Sequence, residues 1–277
     1  MPKAVAIRKI DGKPGKVYYP LDLIDLPEPQ PKENEVVVKI TAAALNHRDH
    51  FLRQHLYPGT TFGVPLLADG TGVVVAAGSS SAAQKWKGKK VVLNPGSGWK
   101  DDADGPESPK GYAILGGTKM NPLGTLGEFV TIDAGELEEA PRHLSSCEAA
   151  ALPLTGLTAW RAVMTKSGQA KPGRNILITG IGGGVALMAL LFATAAGANV
   201  FVSSGSEEKL KKAKAMGAMG GINYKEEGWD KKLMAQMPAE RKFLDAIIDG
   251  AGGDIVNMGM RMLKVSGDKG GLLSLLC

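Results

Sequence analysis

The chain has 277 residues, 44% hydrophobic content and a formal net charge of +5, enough apolar material for one large domain or two smaller ones. No apolar run approaches the length that crosses a bilayer, and the N-terminus, MPKAVAIRKIDG, carries no signal-peptide core. Two cysteines far apart, Cys147 and Cys277, make neither a disulfide framework nor a structural zinc set, and the basic excess is scattered among 28 acids. The chain is therefore expected to be a cytoplasmic protein with no nucleic-acid or membrane partner.

Residues 1–149 are expected to form a small antiparallel β-rich domain, from the short runs AVAIRKI, EVVVKITAAAL, GVVVAAG, KKVVLNP and GEFVTI between Gly and Pro. One short helix is predicted over residues 48–54, and residues 96–119 read as a long irregular loop, too polar to form a core. Two short helices over 146–162 lead into a second domain, 150–277. There the pattern alternates: ILITG, helix 184–196, VFVSS, helix 207–216, GINY, helix 229–237, FLDAIIDGAG, helix 254–263 and GLLSLL as a fifth strand. Such alternation predicts an α/β fold with a doubly wound parallel sheet.

The stretch NILITGIGGGVALMALLFATAAGANVFVSS joins a strand, a glycine turn, a helix and a second strand. That order is the βαβ unit that holds a dinucleotide pyrophosphate. Gly180, Gly182, Gly183 and Gly184, with Val185 opening the helix, are the expected binding residues. Without a Cβ the backbone can approach phosphate, and the helix start offers free N–H groups and a positive dipole end. A tight turn of an ordinary α/β protein is the plainer alternative. An NAD-preferring site usually carries Asp or Glu at the end of the second strand. Here that place reads Ser203, Ser204, Gly205, Ser206, with Lys209 one turn into the next helix. Hydroxyls and a cation suit a 2′-phosphate, so NADP(H) is the expected cofactor. Ser206 also reads as a helix N-cap, using different groups.

The segments LNHRDHFLRQHLYPG, PLLADGTGVV, LPLTGLTAWRA, TGIGGGVA, GSEEKLKKAKAMGA, INY and AIIDGAGG run in one order up to about Lys264. In that combination the chain resembles the zinc-independent, quinone oxidoreductase-like branch of the medium-chain dehydrogenase/reductase superfamily, which also includes zinc-type alcohol dehydrogenase-like proteins. The resemblance implies a GroES-like β-rich catalytic domain joined to a Rossmann domain, with the active site in the cleft between them. It implies that Lys209 and Tyr224 reach the 2′-phosphate, that Thr155 lies near the nicotinamide, and that Asp249 and Gly250 face the cofactor. Tyr224 as a turn aromatic and Thr155 as a helix cap are the alternatives.

The sequence departs from the zinc alcohol dehydrogenases of the superfamily. Asn46 stands in place of the first ligand cysteine, and Ala68, Asp69, Gly70 replace a Gly-His-Glu. His47, His50 and His55 lie close together, but on one short helix and its exit they need not converge; no metal site is expected. A metal-free reductase must polarise its acceptor through hydrogen bonds. The resemblance then implies hydride transfer from NADPH to a quinone or an α,β-unsaturated carbonyl. Asn46 serves as an amide donor, Tyr57 as a hydroxyl donor or proton relay, and Asp49 orients the loop. A second aromatic of some quinone reductases is Phe51 here, without a hydroxyl. Asn46 also reads as a helix N-cap and Tyr57 as plain packing.

Beyond Lys264 the resemblance ends, and the tail VSGDKGGLLSLLC leaves a sixth strand, often the dimer edge, without a candidate. The chain thus reads as truncated relative to the family, with a homodimer left open. Val265-Ser266 is also the in-frame translation of a splice donor, which suggests intron read-through, with chance as the alternative. Two other functions stay open: an NADPH-binding product without catalysis, and an enoyl-thioester reductase.

Overall fold

The computed structural model describes residues 1–264 and the backbone of Leu272–Leu275. It divides into two compact units, Met1–Leu154 and Thr155 onward. The Val265-Ser266 expectation lies outside the described residues.

In the first unit β1 (Lys3–Ile7) pairs antiparallel with β2 (Leu21–Asp25). The LDLID run is absent from the predicted strands for a clear reason: its alternation is inverted, with Leu21 and Leu23 facing solvent. Next come β3 (Glu35–Ala44), α1 (His47–Arg53), β4 (Asp69–Ala77), the short α2 (Ser81–Gln84) and β5 (Lys90–Leu93). Then follow β6 (Gly96–Ser97), β7 (Ala113–Ile114), β8 (Phe129–Asp133) and β9 (Leu137–Glu139). Five of these strands form an antiparallel sheet in the order β8-β3-β4-β5-β9. Val36, Val38, Val74, Val91, Leu93, Val130 and Ile132 bury their side chains in its core. β-branched residues on a pleated surface drive that packing.

The 96–119 segment is less irregular than its composition implies. β6 and β7 pair across it, and Leu115 is fully buried in the core of this unit. The exposed tip is organised by one side chain. The Glu107 carboxylate accepts the backbone N–H groups of Lys100, Asp101 and Asp102 at 2.7–3.1 Å. These bonds, above all, lower its pKa to about 2.

The connecting region contains α3 (Ser146–Ala150) and α4 (Pro153–Trp160), followed by one stretch of π-helix at Arg161–Lys166. The second unit then alternates β10 (Asn175–Ile178), α5 (Gly184–Ala195), β11 (Asn199–Ser204), α6 (Glu207–Ala215) and β12 (Gly220–Asn223). It continues with α7 (Trp229–Ala235), β13 (Ala246–Asp249), α8 (Ile255–Met262) and β14 (Leu272–Leu275). Strand order is β12-β11-β10-β13-β14, and every pair is parallel. The LLSL part of the predicted GLLSLL run supplies a fifth strand at the edge, and among the described residues there is no sixth.

This sheet is covered on both faces. Ile176, Ile178, Val200, Val202 and Ile248 pack on α5 and α6. Leu177, Phe201, Ile222 and Ile247 pack on Leu233, Ile255 and Met262 of α7 and α8. Near-continuous apolar strands such as NILI and AIID are what two-sided burial demands. The strand order reverses between β10 and β13, the place where α/β sheets of this topology bind dinucleotides. Among the described residues no helix is long and apolar enough to cross a membrane.

Candidate active site

A polar cluster forms in the first unit where β3 ends and β4 begins. Ala44 lies opposite Asp69 in the ladder, so the chain leaves β3 beside the first residue of β4. Two residues on, Asn46 is the N-cap of α1, and its side-chain amide donates to Asp69 Oδ2 at 2.8 Å. The backbone N–H of Asn46 donates to Asp49 Oδ2 at 2.7 Å. The N-cap and hydrogen-bond donor readings of Asn46 therefore coexist: the capping box uses its backbone N–H and its side-chain oxygen, which faces the Asp49 N–H, and the donor uses its side-chain NH₂.

Asp49 is buried, and Arg48 beside it is buried too, with their side chains paired at 3.3 Å. Arg48 also donates to the Gly116 carbonyl at 3.0 Å and lies 4.6 Å from the centre of the Tyr57 ring. Among the described residues its Nε has no partner. Burial raises the Asp49 pKa against the opposing effects of the Asn46 N–H and the Arg48 charge.

Asp69 is 1% exposed. Its Oδ1 accepts the Leu154 N–H at 2.9 Å while Oδ2 holds Asn46. Burial outweighs these bonds and pushes its pKa up to about 6, with Asp49 adding and Arg48 opposing. Tyr112, from the 96–119 segment, stands in the field of the same groups. Burial, then the charges of Glu136, Asp69 and Tyr57, push its phenol up to about 12. The structure thus brings Asn46, Asp49 and Tyr57 into one neighbourhood through Arg48, and adds Arg48, Asp69 and Tyr112. Asp69 left a signal in the sequence: a single carboxylate inside the apolar run PLLADGTGVV has to be buried and partnered.

The described residues do not fit a catalytic zinc. Asn46 and Asp69 bond to each other, and the buried Ala68 offers no ligand atom. His47 and His50 ring centres lie 6.1 Å apart, and His55 Nδ1 is bonded to the Tyr19 hydroxyl. Among the described residues no group of three His, Cys, Asp or Glu converges on a point.

The second unit carries a cradle that fits a dinucleotide. After β10 the turn runs through Gly180 at φ +65° and Gly182 at φ +116°, and Gly183 caps α5. A Cβ on Gly182 would meet Lys209 Cδ at 2.8 Å, and one on Gly184 would meet the Thr155 methyl at 2.8 Å. Gly182 is required by its backbone shape, and the helical Gly184 by its close approach to Thr155. Val185, in the first turn of α5, packs against the core beneath. The helix start keeps its backbone N–H groups for an anion.

Around the end of β11 the residues divide. Ser203 and Ser204 are buried, and Ser204 Oγ accepts the Ser206 N–H at 3.2 Å. Tyr224 is half exposed; its hydroxyl and the Lys225 ammonium lie 3.2 and 3.3 Å from the position a Gly205 Cβ would take. Lys225 was not among the predicted contacts. At the end of β13, Asp249 is buried. Its carboxylate is engaged by the Thr179 hydroxyl and by the Gly252 N–H at 3.1 Å, and the Gly250 N–H donates to Thr179 Oγ1 at 3.2 Å. Asp249 therefore shapes the loop after β13, and Gly250 belongs to that network.

A parallel sheet in this order with a glycine turn at its reversal is the architecture of the dinucleotide-binding class of α/β proteins. Residues 32–142 match the alcohol dehydrogenase GroES-like domain, and residues 184–269 match the zinc-binding dehydrogenase family. A zinc-type alcohol dehydrogenase-like protein, YogA, from Leptosphaeria maculans is 50% identical over 272 residues, covering 96% of this chain and 76% of that protein. A 2-methylene-furan-3-one reductase from Solanum lycopersicum is 32% identical over 73% of this chain and 48% of its own. A crystal structure of an NAD-dependent alcohol dehydrogenase superposes with a TM-score of 0.80 at 35% identity, over 94% of this chain and 74% of the other. A quinone oxidoreductase from Pseudomonas syringae gives 0.72 at 28%, over 95% and 70%. A mycobacterial protein complexed with NADPH gives 0.74 at 25%, over 100% and 74%. The chain belongs to the medium-chain dehydrogenase/reductase superfamily of oxidoreductases.

Proposed function

We propose that this chain is an NADPH-dependent reductase that delivers hydride to a quinone or an α,β-unsaturated carbonyl, with no metal on the acceptor. The observation that carries the reading is the Asn46–Asp69 pair at 2.8 Å, an amide donor anchored by a buried carboxylate. When bound, the nicotinamide supplies the hydride and leaves oxidised.

The chain's own groups handle the charge and the proton. The second N–H of Asn46 donates to the carbonyl oxygen as negative charge develops there, the arrangement that lowers barriers most in such sites. Tyr57 releases its phenolic proton to the reduced product, and the Arg48 guanidinium against its ring stabilises the phenolate until water restores the proton. Asp49 holds Arg48 and the backbone of Asn46 in place.

For the cofactor, the absence of a carboxylate in Ser203-Ser204-Gly205-Ser206 supports NADPH over NADH, together with the Lys209 and Lys225 ammonium groups and the Tyr224 hydroxyl. The quinone oxidoreductase and furanone reductase likenesses support the acceptor class.

The test is NADPH oxidation by the EDTA-treated chain against a panel of quinones and enones. Saturable turnover that falls in Asn46→Ala and in Tyr57→Phe, with NADPH binding intact, is the expected result. NADPH binding without turnover on any acceptor would replace this reading with a binding-only role.

A further inference from the structure

Asp69 does more than fill a buried position. A side-chain amide can present either its N–H groups or its carbonyl oxygen in one direction, and a lone Asn swings between the two. An ionised carboxylate only accepts, so a bond to it selects the N–H end. Asp69 is itself held on several sides: it is 1% exposed, its other oxygen accepts the Leu154 N–H at 2.9 Å, and Thr125 Oγ1 donates to its backbone carbonyl at 2.7 Å. Among the described residues, Asn46 Nδ2 has no second acceptor.

We infer that Asp69 is the positioning residue of this site, fixing the Asn46 amide so that one N–H is anchored and the other is aimed at the acceptor's oxygen. This rests on the reductase reading, in which Asn46 is the donor. A buried carboxylate is a poor way to gain stability alone, whereas a held donor matters in a transition state because misplacement lowers the rate steeply.

The substitution Asp69→Asn makes the inference testable. Asn at 69 has a single acceptor oxygen, and the Leu154 N–H is backbone and cannot turn away. That oxygen therefore goes to Leu154, leaving the new NH₂ group facing Asn46. Asn46 must then either flip, giving up the capping-box approach of its oxygen to the Asp49 N–H, or lose its anchor; in both cases the donor leaves its place. Turnover is expected to fall about tenfold to hundredfold, less than complete loss of an oxyanion donor, with the NADPH dissociation constant unchanged. In an Asn46→Ala background the same change should have no further effect, which a merely structural role would not produce.

A second measurement needs no activity. In ¹⁵N-labelled native chain, the Asn46 side-chain NH₂ pair, assigned by its absence from Asn46→Ala, should shift with an apparent pKa near 6, where Asp69 titrates. Asp49, Arg48 and Tyr112 are the other ionisable groups in its field. Asp49→Asn should keep the shift, and Asp69→Asn should abolish it.

The outcomes separate cleanly. Loss of turnover in Asn46→Ala with native turnover in Asp69→Asn overturns the positioning role and leaves the reductase reading standing. Native turnover in Asn46→Ala overturns Asn46 as donor, and the positioning role falls with it. An Asn46 NH₂ pair that does not move between pH 5 and 7 in the native chain removes the anchor independently of any turnover.

Discussion

Lys209 arches over Gly182: its side-chain Cδ lies 2.8 Å from the point a Cβ on that glycine would occupy. The stem and its ammonium both lie over the turn, with Cε 3.1 Å and Nζ 3.2 Å from the same point. Gly182→Ala would place a methyl group where this stem lies and force φ +116° on a residue that resists it. We expect NADPH affinity to fall by about tenfold or more, read by nicotinamide fluorescence, with the melting temperature changed by a few degrees.

Cofactor choice is expected to depend on two cations. Lys209→Ala and Lys225→Ala should each weaken NADPH binding by about three- to tenfold, as loss of a charge-assisted contact does at an exposed site. NADH binding, lacking the 2′-phosphate, should stay within about twofold. Equal losses for both cofactors would place these lysines away from the ribose. Raising the salt concentration should narrow the gap between the cofactors, because exposed charges are screened.

Two carboxylates give opposite dependences of stability on pH. Asp69 has its folded pKa raised from 3.8 to about 6. The folded state therefore binds this proton more readily than the unfolded chain, and stability falls as pH rises through that window, by about 3 kcal/mol for this group. Glu107 is held down from 4.5 to about 2. Its contribution is present above 4.5 and is lost as pH falls toward 2. Urea unfolding of native chain and of Asp69→Asn between pH 4 and 7 should show the first slope only in the native chain.

Glu107→Gln keeps the shape of the side chain but weakens its hold on the N–H groups of Lys100, Asp101 and Asp102. Hydrogen exchange at those three amides should rise several-fold, while the β6–β7 pair stays protected. Unaltered exchange would mean that the turn holds itself without the carboxylate.

Asp245 is buried at the start of β13 and accepts from Arg174 at 2.8 Å, Arg241 at 3.1 Å and the Asn175 N–H at 2.8 Å. Asp245→Ala strands two guanidinium groups and one buried backbone donor. We expect a loss of about 2–3 kcal/mol, tempered because the arginines are partly exposed, measured by urea denaturation.

Much of the second unit is readable along the chain. Short strands of four to six residues, most of them apolar and each followed by a helical pattern, leave few alternatives to a parallel sheet. The glycine turn between Thr179 and Val185 then marks where the dinucleotide class binds. The GroES-like unit was less open to reading. β2 has its leucines outward, β9 is the mostly charged LEE, and β6 and β7 are two residues each. None carries the buried alternation on which strand recognition depends.

The candidate site divides along the same line. The amino-acid sequence determined the superfamily, the strand–turn–helix that presents the glycines, the missing carboxylate at Ser203-Ser204, and Asn46 and Tyr57 as donors worth testing. These are local properties, carried by residue type and short-range spacing. The tertiary structure decided which groups meet. Register between β3 and β4 sets Asp69 beside Asn46 across 23 residues of sequence, and the turn after β12 brings Lys225 to Gly205. The same long-range pairing engages Asp249 with Thr179, at a separation of 70 residues. Hydrogen bonds at such separations follow from sheet register and burial, which no window along a single chain contains.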